Sequence, residues 1–202
     1  MSFLDNTRKP DGLGGKWMVR LMNLGHGAVS RWALRFLSVS LSSTALDCGC
    51  GGGANLARLL KRCPKGRVCG IDYSDVSVEA SRARNRKAIE DGRCEVAQAS
   101  VAQLPYADAT FDRVTAFETV YFWPELSSCF REVRRVMRPG GTFLICNELG
   151  ARTGESVWTE KVSGMTVYTA EQLTKLLLEA GFHDAQAHEV KTGWLCCLTV
   201  RA

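Results

Sequence analysis

The feature that most constrains this chain is a glycine-rich segment, residues 46–53 (LDCGCGGG). The apolar stretch before the glycines predicts a strand and the residues after them predict a helix, so the glycines form the turn between the two. Glycine permits positive φ and lets a ligand approach the backbone closely. A carboxylate, Asp72, follows about twenty residues later, a spacing typical of doubly wound sheets that bind a nucleoside-containing ligand at their carboxyl edge.

Asp47, directly before the glycines, indicates which ligand suits this turn. A carboxylate attracts a positively charged group and repels a pyrophosphate. S-adenosylmethionine carries an ammonium and a sulfonium group and no phosphate, so it fits this position. However, Gly49, Gly51 and Ala54 also match the dinucleotide fingerprint G-x-G-x-x-G/A. The loop alone therefore leaves a nicotinamide cofactor open.

Length and composition predict a single α/β domain spanning residues 1–202. With 46% hydrophobic and 23% charged residues, the composition is ordinary for a globular protein. No apolar run approaches the roughly 18 residues of a membrane span, and the N-terminus lacks a signal-peptide pattern. We therefore expect a cytoplasmic protein with no membrane partner, either a monomer or a homodimer.

Charge and cysteine content say less about function. Of the net charge of +5, residues 1–40 hold six basic against two acidic residues, 6 − 2 = +4. A basic segment can meet nucleic acid or an acidic substrate, but no RNA-binding signature accompanies it, and we interpret it as a solvated helix surface. The nine cysteines show no zinc spacing, so we expect most to be buried. Cys48 and Cys50 would be reactive if a helix N-terminus exposed them.

Strands and helices alternate along the chain. We predict strands over 44–48, 67–72, 94–98, 112–118, 142–147, 185–191 and 194–200, and helices over 54–62, 74–90, 124–137 and 169–180. This alternation predicts a Rossmann-like, doubly wound, mostly parallel sheet with helices on both faces. A Thr-Gly turn favours a hairpin between the last two strands, which makes the last strand antiparallel.

Two short helical stretches precede the first strand. The first places Trp17, Leu21 and Leu24 on one face, and the second carries an apolar stripe that includes Val29 and Trp32. Apolar stripes require a partner. We therefore predict that residues 1–40 form a helical cap over the carboxyl edge of the sheet.

Several further motifs follow in order. They are GIDYS (70–74), LPY (104–106), ATFD (109–112), RVMRPGG (135–141) and EAGF (179–182). Together with the glycine segment they resemble the class I S-adenosylmethionine-dependent methyltransferases, especially the small-molecule branch called methyltransferase type 11. The resemblance runs from about Ser43 to Val200. It implies a seven-stranded sheet with an antiparallel last strand, S-adenosylmethionine as cofactor and S-adenosylhomocysteine as product.

The resemblance also implies roles for individual residues. Asp47 helps to hold the methionine ammonium through the loop, and Gly49 and Gly51 let the methionine portion lie against the backbone. Asp72 binds the ribose hydroxyls and Tyr73 packs on the adenine. An N-cap role is the alternative for Asp72, but Ser74 fills that role better.

One position departs from the family pattern. Where the family has an aspartate that pairs with the adenine amino group, this chain has Ser100, so the adenine contact would rest on Ser100 and the Val101 amide. The full set of expected cofactor contacts is Asp47, Cys48, Gly49, Gly51, Asp72, Tyr73, Ser100, Val101 and Phe117.

The segment after the fourth strand, FETVYFWP (117–124), concerns the acceptor. It lacks the Asn/Asp-Pro-Pro-aromatic element of nucleic-acid amino-methyltransferases. Tyr121, Phe122 and Trp123 are candidates for an aromatic substrate wall, with core packing as the alternative for two of them. Best placed as a general base are His26, Tyr121 and Glu148. The spacing of histidine, cysteine and acidic residues predicts no metal site.

The sequence therefore predicts a methyltransferase that acts on a small-molecule acceptor by in-line displacement, with no nucleic-acid partner. Three alternatives stay open. An RNA or protein methyltransferase is supported by the basic N-terminal segment. A NAD-dependent oxidoreductase fits the glycine spacing but not Asp47. A non-catalytic S-adenosylmethionine-binding protein is the third.

Overall fold

A seven-stranded sheet forms the centre of the computed structural model, which describes residues 10–148, 162, 164–189 and 196–202. The strands are β1 (Thr44–Cys48), β2 (Arg67–Asp72), β3 (Cys94–Gln98), β4 (Phe111–Phe117), β5 (Met137–Asn147), β6 (His183–Glu189) and β7 (Cys196–Arg201). Their order is β3-β2-β1-β4-β5-β7-β6. The pairs from β3 to β5 are parallel, whereas β7 is antiparallel to both of its neighbours, so the predicted doubly wound sheet is confirmed.

Helices cover both faces of this sheet. They are α1 (Gly12–Gly25), α2 (Gly27–Ala33), α3 (Ala54–Arg62), α4 (Asp75–Arg84), α5 (Arg86–Glu90), α6 (Leu126–Val136) and α7 (Ala170–Glu179). Two short 3₁₀ segments, Leu34–Phe36 and Val120–Phe122, follow α2 and β4. None of the described helices is long and apolar enough to cross a membrane.

The core has two parts, one on each face of the sheet. One cluster packs α6 and α7 against the sheet, with Phe111, Phe130 and Phe143 fully buried in it. The other packs α3 and the segment after α2 on the opposite face, around Leu56 and Leu59. Parallel strands buried on both faces have near-continuous apolar sequences, which is why the sequence located them so well.

From β1 the sheet extends to β2 and β3 on one side and to β4 and β5 on the other, so the strand order reverses between β1 and β4. At such a switch point the loops that leave neighbouring strands diverge, and a crevice opens outside the carboxyl ends of the strands. The loops after β1, β2 and β4 therefore all reach this crevice. The sheet topology thus places the glycine segment, Asp72 and the segment after β4 at one edge.

Several predicted elements differ in their bounds, three of them in ways that local geometry explains. The predicted helix 74–90 is broken at Asn85, whose side-chain amide donates hydrogen bonds to the carbonyls of Gly53 (3.1 Å) and Ser81 (3.0 Å). The helix predicted from Pro124 begins at Leu126, because Glu125 has a φ of 37°, outside the helical region. The predicted turn at 139–141 lies within β5, where a register shift against β4 marks it.

The N-terminal helices partly follow the prediction. Met18 and Val19 of α1 are buried, and α1 contacts α4. Trp17, in contrast, is 63% exposed, so its predicted place on a buried face is wrong. The side chains of Leu21 and Leu24, and the predicted hairpin turn before β7, lie outside the described residues.

Candidate active site

The glycine loop after β1 has the backbone conformation that its sequence predicts. Gly49, Gly51 and Gly53 have φ values of 75°, 50° and 74°. The amides of Gly49 and Cys50 both donate to the carbonyl of Ile71, at 2.8 and 2.9 Å. A Cβ on Gly49 would lie 2.3 Å from Oγ1 of Thr119, whereas one on Gly51 would meet nothing within 4 Å. The loop is thus packed on one side and open on the other.

Asp72, at the end of β2, fastens this loop. Its Oδ2 accepts a hydrogen bond from the Gly51 amide and its Oδ1 accepts one from the Ser74 amide, both at 2.9 Å. Burial raises the pKa of the Asp72 carboxyl above its ordinary value. The Ser74 hydroxyl accepts from the Ser77 amide and is the N-cap of α4. Because Ser74 caps α4, the Asp72 carboxylate is not needed as the cap and instead holds the loop and lines the cleft.

Asp47 lies below the loop. It is 1% exposed, and its Oδ1 accepts a hydrogen bond from Oγ1 of Thr115 at 2.6 Å. Burial raises the pKa of Asp47 to about 7. Because Asp47 does not line the cleft, any effect on a ligand passes through the loop above it.

A cleft of about 780 Å³, including space open to solvent, lies over this edge of the sheet. Its walls come from the N-terminal helices, the glycine loop with α3, the end of β2 and the segment after β4. The lining residues are Pro10, Val19, His26, Ser30, Gly49, Cys50, Gly51, Gly52, Ala54, Asn55, Arg58, Asp72, Tyr73, Ser77, Phe117, Glu118, Thr119 and Phe122. Pro10, Val19, His26 and Ser30 of the segment predicted as a cap line this cleft, and the cap itself stays a prediction.

Arg58 of α3 is the only lysine or arginine among these described lining residues. No motif in the sequence marks Arg58 as a site residue. A Cβ on Gly27 would lie 3.3 Å from its guanidinium and 3.5 Å from that of Arg31, so two cations approach the same spot. Burial, and then the positive charges of Arg31 and Arg84, lower the pKa of Arg58. The arrangement suits a carboxylate.

His26 and Glu118 line the other wall of the cleft, and Glu148 contacts His26. Nδ1 of His26 lies 3.5 Å from Oε2 of Glu148, and possible ligand atoms of His26, Glu118 and Glu148 lie within 4.8 Å of one another. The Tyr121 hydroxyl donates to Oε2 of Glu118 at 3.2 Å, and the Glu148 amide donates to Oε1 at 2.5 Å. We call these four residues the acidic cluster. All three predicted general-base candidates belong to it.

Two side chains of the acidic cluster, Glu118 and His26, have raised pKa values. Burial raises the pKa of Glu118 to about 7, against the opposing charge of His26. The contact with Glu148, together with the charge of Glu118, raises the pKa of His26. Such shifts are common at functional sites. Although sequence spacing predicts no metal site, these His and Glu side chains are of types that bind metals.

Several predicted contacts do not line the cleft. Ser100 and Val101 lie outside its walls, and the Cys48 side chain packs in the core. Burial raises the pKa of the Cys48 and Cys50 thiols, so the condition for their reactivity is not met. The proposed roles of Ser100, Val101 and Cys48 in cofactor binding stay predictions.

The aromatic segment after β4 is divided between cleft and core. Phe122 lines the cleft, whereas Tyr121 is 3% exposed and Trp123 packs in the core. The Trp123 indole also donates to Oγ1 of Thr119 at 3.2 Å. The predicted aromatic wall is therefore reduced to Phe122 with Phe117. His183 and His188 do not line the cleft.

Several known proteins are similar to this chain in sequence. Residues 46–145 match a family described as a methyltransferase domain. The methyltransferase GfsG of Streptomyces halstedii is 36% identical over 138 residues, which cover 68% of this chain and 49% of that protein. The 27-O-demethylrifamycin SV methyltransferase of Amycolatopsis mediterranei is 32% identical over 152 residues, covering 72% and 56%. The chain thus spans about half the length of these relatives.

A solved structure shares the fold over nearly the whole chain. It belongs to the complex of the Haloferax volcanii methyltransferase activator Trm112 with its methyltransferase partner. The TM-score is 0.84, with 20% identity and coverage of 92% of this chain and 93% of that one. Fold and site together define a doubly wound domain that binds a nucleoside at its switch point. With the family match, they show that the chain belongs to the class I S-adenosylmethionine-dependent methyltransferases.

Proposed function

We propose that this protein transfers the methyl group of S-adenosylmethionine to a small-molecule acceptor. The observation that carries the proposal is the position of Asp72, which lines the cleft while it holds the Gly51 amide. A carboxylate here is placed to accept hydrogen bonds from both hydroxyls of a ribose. S-adenosylmethionine is the cofactor of the family to which the chain belongs.

The residues present fit this cofactor. Gly51 has open space where a Cβ would stand, which leaves room for the methionine portion against the backbone. Tyr73 lines the cleft beside Asp72, where it is placed to pack on the adenine. Arg58 is placed to bind the cofactor carboxylate. The buried charge of Asp47 supports the methionine ammonium through the loop.

When bound, the cofactor supplies a methyl group on a positively charged sulfur. The chain must then orient the acceptor and exclude water, and such orientation can supply roughly 7–11 kcal/mol of the barrier. The walls formed by α1 and α2 serve this purpose. His26, Tyr121 and Glu148 are the residues that we propose for moving a proton from the acceptor, through the acidic cluster.

Two observations support a small acceptor. The cleft lies between the N-terminal helices and the sheet edge, with Phe117 and Phe122 in its walls. In addition, the name of the Amycolatopsis relative states that it methylates a small molecule, a demethylrifamycin. Because this chain covers only about half of that relative, both activity and acceptor remain our proposal.

Calorimetry with S-adenosylmethionine, S-adenosylhomocysteine and NAD tests the cofactor. We expect the first two to bind and NAD to bind poorly, since a pyrophosphate would meet the Asp72 carboxylate in the cleft and the buried Asp47 charge beneath the loop. Tight binding of NAD alone would show that the fold serves an oxidoreductase.

A methylation screen against small metabolites, run beside total RNA and protein, tests the acceptor class. We expect incorporation into the small-molecule fraction and weak RNA binding that falls with salt without preference for sequence or structure. Structure-selective RNA binding with methyl incorporation into that RNA would instead support a nucleic-acid methyltransferase.

A further inference from the structure

We propose that the acceptor is an amine, which enters as its ammonium form and is held and deprotonated by Glu118 and Glu148 of the acidic cluster. The inference rests on the proposed methyl transfer and adds the chemical class of the acceptor. It also makes Glu118, which the sequence did not single out, the central residue of the acceptor site.

Geometry places the acidic cluster beside the cofactor loop. Glu118 follows β4 directly and Glu148 follows β5, so neighbouring parallel strands deliver the two carboxylates to one edge. His26 joins them from the turn between α1 and α2. Glu118 and His26 line the same cleft as Gly49 and Gly51. An acceptor held by Glu118, with Glu148 in contact with His26 beside it, therefore faces the loop against which the methyl donor lies.

The Glu118 carboxylate is held in place. Its two oxygens accept hydrogen bonds from the Glu148 amide and the Tyr121 hydroxyl. Its own amide donates to the Cys146 carbonyl at 2.9 Å, and its φ is 57°. Left-handed backbone at a residue other than glycine costs free energy and clusters at functional sites. Glu118 therefore adopts an unfavourable backbone conformation at the position where it lines the cleft.

The charge of the acidic cluster favours a cation. Two carboxylates, Glu118 and Glu148, face one imidazole, His26, and the Tyr121 hydroxyl is neutral at ordinary pH. The raised pKa of Glu118 shows that His26 does not compensate its buried charge. A bound ammonium would supply the missing positive charge.

The same charges separate an amine from an alcohol. An ammonium that loses its proton becomes a neutral nucleophile, whereas an alcohol becomes an anion. An anion beside Glu118 and Glu148 is repelled by both. Phe117 and Phe122 line the same cleft, and aromatic rings attract ammonium groups.

The proton and electron balance is simple. The ammonium gives one proton to the Glu118 carboxylate, from which Glu148, 39% exposed, provides a path to solvent. The free nitrogen lone pair then forms a bond to the methyl carbon. The carbon–sulfur bond breaks and its electron pair stays on sulfur, which becomes a neutral thioether. The product is a methylated ammonium that carries the positive charge.

The test uses three matched probes, benzylamine, benzyl alcohol and benzoate, with protein saturated with S-adenosylhomocysteine. Calorimetry at pH 8 should show benzylamine binding at least about tenfold more tightly than the other two, as charge-assisted hydrogen bonds predict. At pH 7, where Glu118 is partly protonated, measurements in buffers of different ionisation enthalpy should show that amine binding releases protons, because the ammonium lowers the pKa of Glu118. Methylation of benzylamine should exceed that of benzyl alcohol.

Variants locate the effect. Glu118→Gln and Glu148→Gln should each reduce the amine preference at least about fivefold, since each removes one charge, and leave S-adenosylhomocysteine affinity within about twofold. Glu90→Gln removes an equally charged, exposed carboxylate of α5 that does not line the cleft. It should change neither quantity. If Glu118→Gln fails to fold, Glu148→Gln carries the test.

Three outcomes would overturn the amine. They are equal binding of all three probes, an amine preference that survives both substitutions, and benzyl alcohol binding that requires Mg²⁺ or Mn²⁺ and disappears with a chelator. The last would assign the acidic cluster to a metal ion. In each case S-adenosylhomocysteine binding stands apart, because its loss from the wild-type protein contradicts the proposed function instead.

Discussion

The hydroxyl of Thr115 on β4 donates a hydrogen bond to the Asp47 carboxylate on β1 at 2.6 Å, across the switch point of the sheet. Both residues are fully buried. This bond opposes the effect of burial on the pKa of Asp47, which nevertheless rises to about 7. The protein thus keeps a poorly compensated acid directly under its glycine loop.

Asp47 should make the apo protein less stable at high pH. A carboxyl whose pKa is raised on folding binds more protons in the folded state, so the free energy of unfolding falls as pH rises from about 4 to 7. The full effect of Asp47 is of the order of 4 kcal/mol. Asp47→Asn should therefore stabilise the apo protein at pH 8 relative to pH 5, as measured by urea unfolding.

A matched control is Asp112→Asn. Hydrogen bonds and ion pairing lower the pKa of Asp112, so its contribution is complete above its unfolded pKa and equal at pH 5 and pH 8. Its substitution should lower stability at both. A wild-type stability that rises between pH 5 and pH 8 would contradict the raised pKa of Asp47.

The destabilisation caused by Thr115→Val should increase with pH. It removes the donor to Asp47 at nearly constant volume and leaves a buried carboxylate without that bond. Its cost should be about 1–3 kcal/mol at pH 8 and smaller at pH 5, where Asp47 is protonated. In an Asp47→Asn background the cost should shrink at pH 8. A cost independent of both pH and residue 47 would indicate a packing effect.

Asp72→Asn should weaken S-adenosylhomocysteine binding at least about tenfold, because it removes a charged acceptor from the cleft. Asparagine also replaces one oxygen with a donor, so either Gly51 or Ser74 loses an acceptor for its amide. We therefore expect apo stability to fall by about 1–3 kcal/mol as well. The exposed Asp75→Asn is the control, and unchanged affinity in Asp72→Asn would make Asp72 purely structural.

Gly49→Ala should cost more than its backbone conformation alone explains. Gly49 and Gly92 have nearly equal φ values, 75° and 71°, but only the former has a neighbour, Thr119, within reach of a Cβ. Both substitutions carry the left-handed penalty of about 1–2 kcal/mol. Gly49→Ala should lose a further 1–3 kcal/mol, roughly, from overpacking. Equal losses in thermal unfolding would show that Thr119 moves aside freely.

Residues 1–40 should become more protected from hydrogen exchange when S-adenosylhomocysteine binds. Pro10, Val19, His26 and Ser30 line the cleft, so a ligand there gives these helices new contacts. Amides of α7, on the far side of the sheet, provide the internal control. Equal exchange in α1 and α2 with and without ligand would identify a fixed part of the scaffold.

Sequence reasoning located the sheet because its signals are local. Apolar runs marked the strands, glycines marked the loop, and Ser74 and Thr169 marked two helix starts. The break at Asn85 was missed because its cause is a hydrogen bond to Gly53, far away in sequence. The late start of α6 was missed because Glu125, after Pro124, has a positive φ that no residue preference predicts.

The acceptor side was harder to predict, because it depends on convergence. His26, Tyr121 and Glu148 were found as chemically capable residues near expected loops, but their common partner Glu118 was not. One signal was present, since Glu118 is an acid at the carboxyl end of a strand next to β1. Arg58 lies in the predicted helix 54–62, where no motif marks it, and only the fold shows that it lines the cleft.

The Ser74 hydroxyl, which caps α4, also donates to the Pro10 carbonyl at 2.7 Å. This bond joins the beginning of the described chain to the strand end that carries Asp72, and His26 reaches Glu148 still further along. On the ribosome, α1 and α2 emerge before the strands of the sheet and must therefore wait for β5 before these contacts are complete. The active site is consequently completed late in synthesis, and a nascent chain stalled before β5 would hold the cofactor loop and Glu118 without Glu148.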